Sequence, residues 1–103
     1  MVAMTRLSDE TVSAGLSDLP GWSRSGDETA DGSGRGIEKI FELADFPAAI
    51  AFVVRVGFLA EAADHHPDLD VRWRTVRVFL TTHDSGGLTD KDLALAGEIE
   101  GVA

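Results

Sequence analysis

The spacing of apolar residues near the N-terminus predicts a first amphipathic helix. Val12, Leu16 and Leu19 recur at intervals of four and three residues, which places them on one helical face. Ser8 is suited to cap the start of this helix, and Pro20–Gly21 is suited to end it. We therefore expect a short helix that buries one narrow apolar stripe.

Two further helices follow from the same reasoning. A long apolar segment begins at Asp45, a typical N-cap, tolerates Pro47 in its first turn and is predicted to run to about Asp64. Its wide apolar face is expected to form the spine of the core through Ile50, Val53, Val54, Gly57 and Phe58. The last helix begins at Thr89, where "TDKD" fits a capping box, and its predicted buried residues are Leu95, Ala96, Ile99 and Val102.

Alternating apolar and polar residues predict strands between these helices. A short strand near Trp22 precedes a Gly-rich flexible connection across residues 26–36. In the strand "GIEKIFEL", one face carries Ile37, Lys39, Phe41 and Leu43. Strand character returns in "DVRWRTVRVFLTT", where the two faces carry Val76, Val78 and Leu80, and Thr75, Arg77, Phe79 and Thr81.

The order of elements predicts an α+β fold, arranged α-β-β-α-β-β-α. One four-stranded antiparallel sheet with three helices packed on one face satisfies this order. A chain of 103 residues with 44% hydrophobic content is long enough for one core, so we expect a single domain over residues 1–103.

Charge and cysteine content restrict the classes of function. The net charge of −9 repels nucleic-acid phosphates and anionic lipid surfaces, so neither is an expected partner. The absence of cysteine excludes disulfides and thiolate chemistry, and it fits the cytoplasm. The longest apolar segment is interrupted by Arg55 and Glu61, and no basic region followed by an apolar run begins the sequence, so no membrane segment is expected.

Two of the three histidines are adjacent. His65 and His66 follow the predicted second helix and precede Pro67, while His83 follows the last strand. If that strand pairs back toward the helix end, the three imidazoles would converge on one pocket. Glu61 lies four residues before His65, so on a continuing helix its carboxylate would orient the imidazole.

The pattern alone leaves three interpretations open: structural or solvated histidines, a metal site, and metal-free acid–base chemistry. Three histidines with an aspartate would suit zinc, but adjacent histidines rarely reach one ion together and "HExxH" is absent. A serine hydrolase is disfavoured because "GxSxG" is absent. "GSGRG" lacks the flanking strand and helix of a dinucleotide site.

The spacing of the site residues carries a resemblance. An acidic residue, a His-His-Pro run, an aromatic residue, a histidine and an aspartate occur at Glu61, His65, His66, Pro67, Trp73, His83 and Asp92. Three residues separate the acid from the histidine pair, five separate the proline from the aromatic residue, and nine separate that residue from the third histidine. This pattern resembles the pterin-4a-carbinolamine dehydratase (dimerisation-cofactor) family, with "LPGW", "DFPAAIAFV" and "THDSGGLTDKDLALAGEIE" extending the similarity over about residues 5–103.

The resemblance implies an activity and assigns roles. Water is lost from a 4a-hydroxytetrahydropterin to give the quinonoid dihydropterin, in pterin recycling. The pterin ring nitrogens supply the electrons, so neither a metal nor an organic cofactor is expected. By resemblance, His65 and His83 transfer protons and His66 positions the pterin. Glu61 orients His65, and Trp73 offers apolar surface to the ring.

Asp64, Pro67 and Asp92 are also expected to bind or orient the substrate. Simpler roles stay open for the supporting residues. Trp73 would equally suit the core, Asp92 occupies the capping-box position after Thr89, and Asp64 would equally suit the helix end. The family also contains non-catalytic dimerisation and protein-interaction modules, although the three histidines favour an enzyme. Its members are dimers or tetramers, so the expected assembly is a homodimer or homotetramer that binds a small pterin.

Overall fold

The computed structural model describes residues 5–25 and 35–103 of the chain. These residues form three α-helices, four β-strands and one 3-10 turn. In chain order the elements are α1 (Asp9–Leu16), β1 (Ser23–Ser25), β2 (Gly36–Glu42), α2 (Phe46–Ala63), β3 (Asp68–Arg72), β4 (Thr75–Leu80), the 3-10 turn His83–Ser85 and α3 (Asp90–Glu100). The predicted α-β-β-α-β-β-α order is confirmed.

The four strands form one antiparallel sheet in the order β1-β2-β4-β3. The register pairs Ile37 with Leu80 and Phe41 with Val76, so apolar side chains from the two central strands meet on the face that the helices cover. This alternation agrees with the prediction and confirms the α+β class. The edges of the sheet are β1 and β3.

Local capping explains where the helices begin. The Ser8 side chain accepts a hydrogen bond from the Thr11 backbone N–H at the start of α1, as predicted. The capping box of α3 is also present, formed by Thr89 and Asp92. Three of the residues predicted to be buried on α3 are buried, and the fourth packs half-buried against the core: Leu95, Ala96, Ile99 and Val102.

The face of α2 that enters the core differs from the prediction. Asp45 caps the helix as expected, but its buried residues are Ala49, Phe52, Val56 and Ala60. The predicted core face is instead exposed or half-buried: Ile50, Val53, Val54, Gly57 and Phe58. Because α2 is apolar on nearly every side, periodicity does not select a face. Ala49 and Val56 lie about one turn on either side of the core-facing Phe52, whose ring centroid lies 4.8 Å from that of Phe41.

By length and composition alone, α2 is apolar enough to cross a membrane. The expectation that no segment is long enough is therefore too strong, because Arg55 and Glu61 interrupt the helix without reducing its apolar character below that of a span. In this fold the helix packs one side against the sheet and covers the core.

The sheet face turned away from the helices carries polar contacts. Glu38 accepts hydrogen bonds from Ser25 Oγ and from Arg77 Nε. These two bonds hold the pKa of the Glu38 carboxyl below its usual value of 4.5, and the bond from Ser25 has the larger effect. Glu38 therefore remains ionised near neutral pH and joins β1, β2 and β4 across this face.

The connection predicted over residues 26–36 lies mostly outside the described residues, which resume at residue 35. Gly36 itself is buried and begins β2, so it belongs to the strand. A Cβ atom at this position would lie 2.3 Å from the Phe79 ring and 2.6 Å from the Leu80 carbonyl oxygen. The strand therefore requires glycine here.

We predict that Gly36→Ala lowers the free energy of unfolding by about 1–3 kcal/mol, because the methyl group meets backbone that cannot rotate away. Gly97→Ala in α3 is the matched control: among the described residues, no heavy atom lies within 4 Å of a Cβ placed there. Because alanine is favoured over glycine inside a helix, Gly97→Ala should raise the free energy of unfolding by about 0.5–1 kcal/mol. Urea unfolding measures the free energy of unfolding of both variants. An unchanged value for Gly36→Ala would contradict the close packing described around Gly36.

Candidate active site

The end of α2 separates the two adjacent histidines in direction. Asp64 adopts a left-handed conformation with φ 50° and ψ 45°, and the backbone N–H of His65 bonds the carbonyl of Ala60 at 3.0 Å. The chain then leaves the helix through Pro67 and enters β3. This abrupt turn leaves His65 half-buried and His66 exposed.

His65 contacts a buried carboxylate. Its Nε2 lies 2.5 Å from Oδ1 of Asp92, and the two side chains are 10% and 0% exposed. The other oxygen of Asp92 accepts hydrogen bonds from the Thr82 hydroxyl at 2.8 Å and from the Thr89 backbone N–H at 2.9 Å. Asp92 therefore joins the ends of α2 and β4 to the start of α3, and it gives His65 a fixed partner.

Asp92 both caps α3 and contacts His65. The sequence left open whether Asp92 caps the helix or belongs to the site, and the carboxylate has an oxygen for each contact. A buried carboxylate requires such hydrogen bonds because its loss of hydration is otherwise very unfavourable.

Glu61 contacts His66 and not His65. The Glu61 Oε1 atom lies 3.0 Å from His66 Nε2, and the side chains are 82% and 64% exposed. The prediction that Glu61 orients His65 is wrong, because the left-handed Asp64 ends the helix before His65 would complete another helical turn. A contact this exposed to solvent contributes little to stability.

His83 lies at the same end of the sheet as the histidine pair. The register pairs Asp68, which follows Pro67, with Phe79 near the end of β4. His83 is exposed and comes directly after Thr82, whose hydroxyl bonds Asp92. The fold therefore brings the backbones of all three histidines to one end of the sheet.

Trp73 lies at the opposite end of the β3–β4 hairpin. With Arg74 it forms the turn between Arg72 and Thr75, and its backbone has φ 54°. The side chain is 86% exposed. Five residues of β3, or roughly 16 Å at the usual rise of a strand, separate it from Pro67. Within one chain, Trp73 neither faces the histidines nor belongs to the core, so both expectations are corrected.

The remaining predicted residues have structural positions at the helix exit. Asp64 is exposed and supplies the C-cap of α2, in line with a role at the helix end. Pro67 is half-buried and directs the chain into β3. Within residues 5–25 and 35–103, no group of three or more His, Cys, Asp or Glu residues is arranged to hold a metal ion.

Sequence reasoning did not identify Thr82 as part of the site. A signal was available, because Thr82 directly precedes His83 and the Thr89–Asp92 capping box lies only a few residues further on. A polar residue at the end of a strand beside a helix N-terminus is well placed to contact the capping carboxylate. The missing information was the hydrogen bond from Thr82 Oγ1 to Asp92 Oδ2, which forms only when the end of β4 meets the start of α3 in the folded chain.

These features define a class of small α+β protein in which a histidine and a buried carboxylate meet at one end of an antiparallel sheet. Residues 5–102 match the sequence profile described as pterin 4 alpha carbinolamine dehydratase. The chain therefore belongs to the pterin 4 alpha carbinolamine dehydratase family, as the sequence resemblance indicated.

Individual relatives agree with this assignment. A provisionally named pterin-4-alpha-carbinolamine dehydratase of Roseiflexus sp. is 57% identical over 96 residues, which cover 93% of this chain and 95% of the relative. A similarly named protein of Nocardia farcinica is 50% identical over 97 residues, covering 94% of each chain. The crystal structure of a transcriptional coactivator/pterin dehydratase from Brucella melitensis has a TM-score of 0.86 at 28% identity, and the match covers 96% of this chain and 99% of that chain.

Proposed function

We propose that the protein removes water from a 4a-hydroxytetrahydropterin to give the quinonoid dihydropterin, by histidine acid–base catalysis. The observation that carries this proposal is the His65–Asp92 contact at 2.5 Å in a chain of this family. A carboxylate on one ring nitrogen leaves the other nitrogen available to exchange a proton, as general acid–base chemistry requires.

The reaction needs one proton delivered and one removed. As the bond between C4a and the hydroxyl oxygen breaks, an acid protonates that oxygen and water leaves. A base removes the proton from the adjacent ring nitrogen, whose electron pair forms the new C=N bond. We assign these two proton transfers to His65 and His83, which lie at one end of the sheet.

His66 is the residue that we assign to pterin binding. It is exposed, its Nε2 contacts Glu61, and Pro67 restricts the backbone that follows. An imidazole held in this way offers a hydrogen bond to a flat heterocycle without being the group that breaks the C–O bond. Glu61 would then orient the binding histidine and Asp92 the proton-transferring one.

The first functional prediction is that the purified protein accelerates dehydration of freshly generated 4a-hydroxytetrahydropterin without added metal. The proposed proton transfers use imidazole groups such as His65, which contacts Asp92, and the described residues contain no group of three or more His, Cys, Asp or Glu residues that could hold a metal ion. A chelator should therefore leave the rate unchanged. Stopped-flow absorbance follows the loss of substrate. Activity that disappears on chelation and returns with zinc would contradict the mechanism.

The second functional prediction separates the histidines. His65→Ala and His83→Ala should lower kcat by about 10²–10⁴-fold, because each removes a proton-transferring group. His66→Ala should mainly raise KM and the Kd of a pterin analogue. Trp73→Ala is the matched control and should leave both constants unchanged, since its side chain lies at the far end of the hairpin.

The kinetic constants test both the division of roles between the histidines and the assumption that a single chain forms the site. If His65→Ala and His66→Ala change kcat and KM alike, the division of roles is wrong. If Trp73→Ala raises KM, the hairpin turn of another copy reaches the site, and the site is shared between chains.

We also propose that the chain forms a homo-oligomer. Four large apolar residues recur every fourth position along the uncovered side of α2, and all are exposed: Phe46, Ile50, Val54 and Phe58. This α2 stripe contains no charge, and a second copy would bury the same residues against one another. Either a homodimer or a homotetramer would bury the α2 stripe in this way.

We predict that Phe58→Glu, at the C-terminal end of the α2 stripe and at 74% exposure, converts the assembly to a monomer, because a charge cannot be buried there without a partner. Ala94→Glu adds the same charge at an exposed position on α3 and should leave the assembly unchanged. Light scattering coupled to size exclusion measures the mass. A wild-type protein that is already monomeric would contradict the proposal.

The alternative function is a non-catalytic dimerisation or protein-interaction module. The Brucella melitensis relative is described as a coactivator as well as a pterin dehydratase, and the α2 stripe offers an apolar surface. The dehydration assay separates the two functions, since a module alone would bind without turnover. A cytoplasmic location, without nucleic-acid or membrane partners, stays a prediction from the composition.

A further inference from the structure

Thr82 belongs to a closed set of hydrogen bonds behind His65. Its Oγ1 donates to Asp92 Oδ2 at 2.8 Å and lies 2.8 Å from Thr89 Oγ1. Thr89 Oγ1 in turn accepts a hydrogen bond from the Lys91 backbone N–H at 3.3 Å. Thr89 and Asp92 are fully buried, so these groups depend on one another for partners.

The direction of each bond follows from the number of hydrogens. A hydroxyl has one hydrogen to donate, and Thr82 donates its own to Asp92. The bond between the two hydroxyls must then be donated by Thr89, whose oxygen still accepts from Lys91. The hydrogen bonds therefore run in one direction, from the start of α3 through both threonines to Asp92.

The Asp92 carboxylate determines which nitrogen of His65 carries hydrogen, and the two threonine donors hold that carboxylate in place. Asp92 Oδ2 already accepts from the Thr82 hydroxyl and the Thr89 N–H, so Oδ1 is the oxygen that faces His65. A carboxylate oxygen accepts, and His65 Nε2 must then donate. Nδ1 is left as the nitrogen that exchanges protons with a substrate.

We propose that Thr82 is a positioning residue, which acts through Asp92 to hold His65 in the tautomer with hydrogen on Nε2. The effect on rate rests on the proposed dehydratase function, whereas the tautomer can be measured without any substrate. Among the described residues, Asp92 has three donors: His65 Nε2, the Thr89 backbone N–H at the start of α3, and the Thr82 hydroxyl. Of these, only the Thr82 hydroxyl comes from the segment after β4.

The Thr82 backbone is held independently of its hydroxyl. Its N–H bonds the Gly87 carbonyl at 3.1 Å, and its carbonyl accepts from Gly87 at 3.3 Å and from Ser85 at 3.1 Å. Valine has nearly the shape of threonine without the hydroxyl, so Thr82→Val should remove the hydrogen bond and retain the turn. The substitution therefore tests the hydroxyl specifically.

The experiment combines NMR of the His65 ring nitrogens with steady-state kinetics. In Thr82→Val we expect the ring-nitrogen shifts of His65 to move from a fixed Nε2–H tautomer toward the average of both tautomers. We expect kcat to fall about tenfold while KM changes by less than about twofold. Thr82→Ser should restore both readouts. Thr81→Val is the control, because the Thr81 hydroxyl bonds the Arg35 carbonyl instead of Asp92.

Each outcome decides the proposal. A wild-type His65 tautomer in Thr82→Val would overturn it, as would an equal loss in Thr82→Ser or in Thr81→Val. If Thr82→Val does not fold, Thr82→Ala supplies the same comparison. If the wild-type protein shows no dehydration, the proposed function fails, while the tautomer measurement still decides the role of Thr82.

Discussion

The hydrogen bonding of the buried Asp92 carboxylate is the constraint on which the histidine-bearing end of the fold depends. An unpaired buried carboxylate is unfavourable by several kcal/mol, so the chain must supply donors to it. Those donors come from His65 after α2, Thr82 after β4 and Thr89 before α3. They reach one carboxylate only when these three segments meet. The hydration that Asp92 loses on folding therefore enforces the geometry around His65.

Because one carboxylate performs both tasks, stability and proposed chemistry are linked at this position. The exposed pair of Glu61 and His66 differs in this respect, since water can replace either partner at little cost. The site therefore combines a rigid half around His65 with an adaptable half around His66. Such a division suits a reaction in which proton transfer needs fixed geometry while a flat substrate must enter and leave.

Local signals were sufficient for much of the fold. Caps at Ser8, Asp45 and Thr89, together with strand alternation, depend on neighbouring residues and were predicted correctly. The core-facing side of α2 was not, because a helix apolar all round gives no preferred direction until the sheet is present. The predicted contact between Glu61 and His65 was wrong for a similar reason. The left-handed conformation of Asp64 ends the helix, and the spacing of side chains in the sequence does not reveal that conformation. Trp73 was misplaced because turn rules favour Asn and Gly, rather than an aromatic residue, at positive φ.

The geometry of α2 keeps its two proposed roles apart. The α2 stripe ends at Phe58, and His65 follows seven residues later, beyond the left-handed cap. At the rise of a helix this spacing amounts to about 10 Å, so a charge placed on the stripe does not reach the Asp92 contact directly. The stripe also lies on the side of α2 opposite to Ala49, Val56 and Ala60, which pack into the core. Loss of assembly and loss of proton transfer can therefore be produced separately, and a variant that loses both would indicate that the site is completed by a second chain.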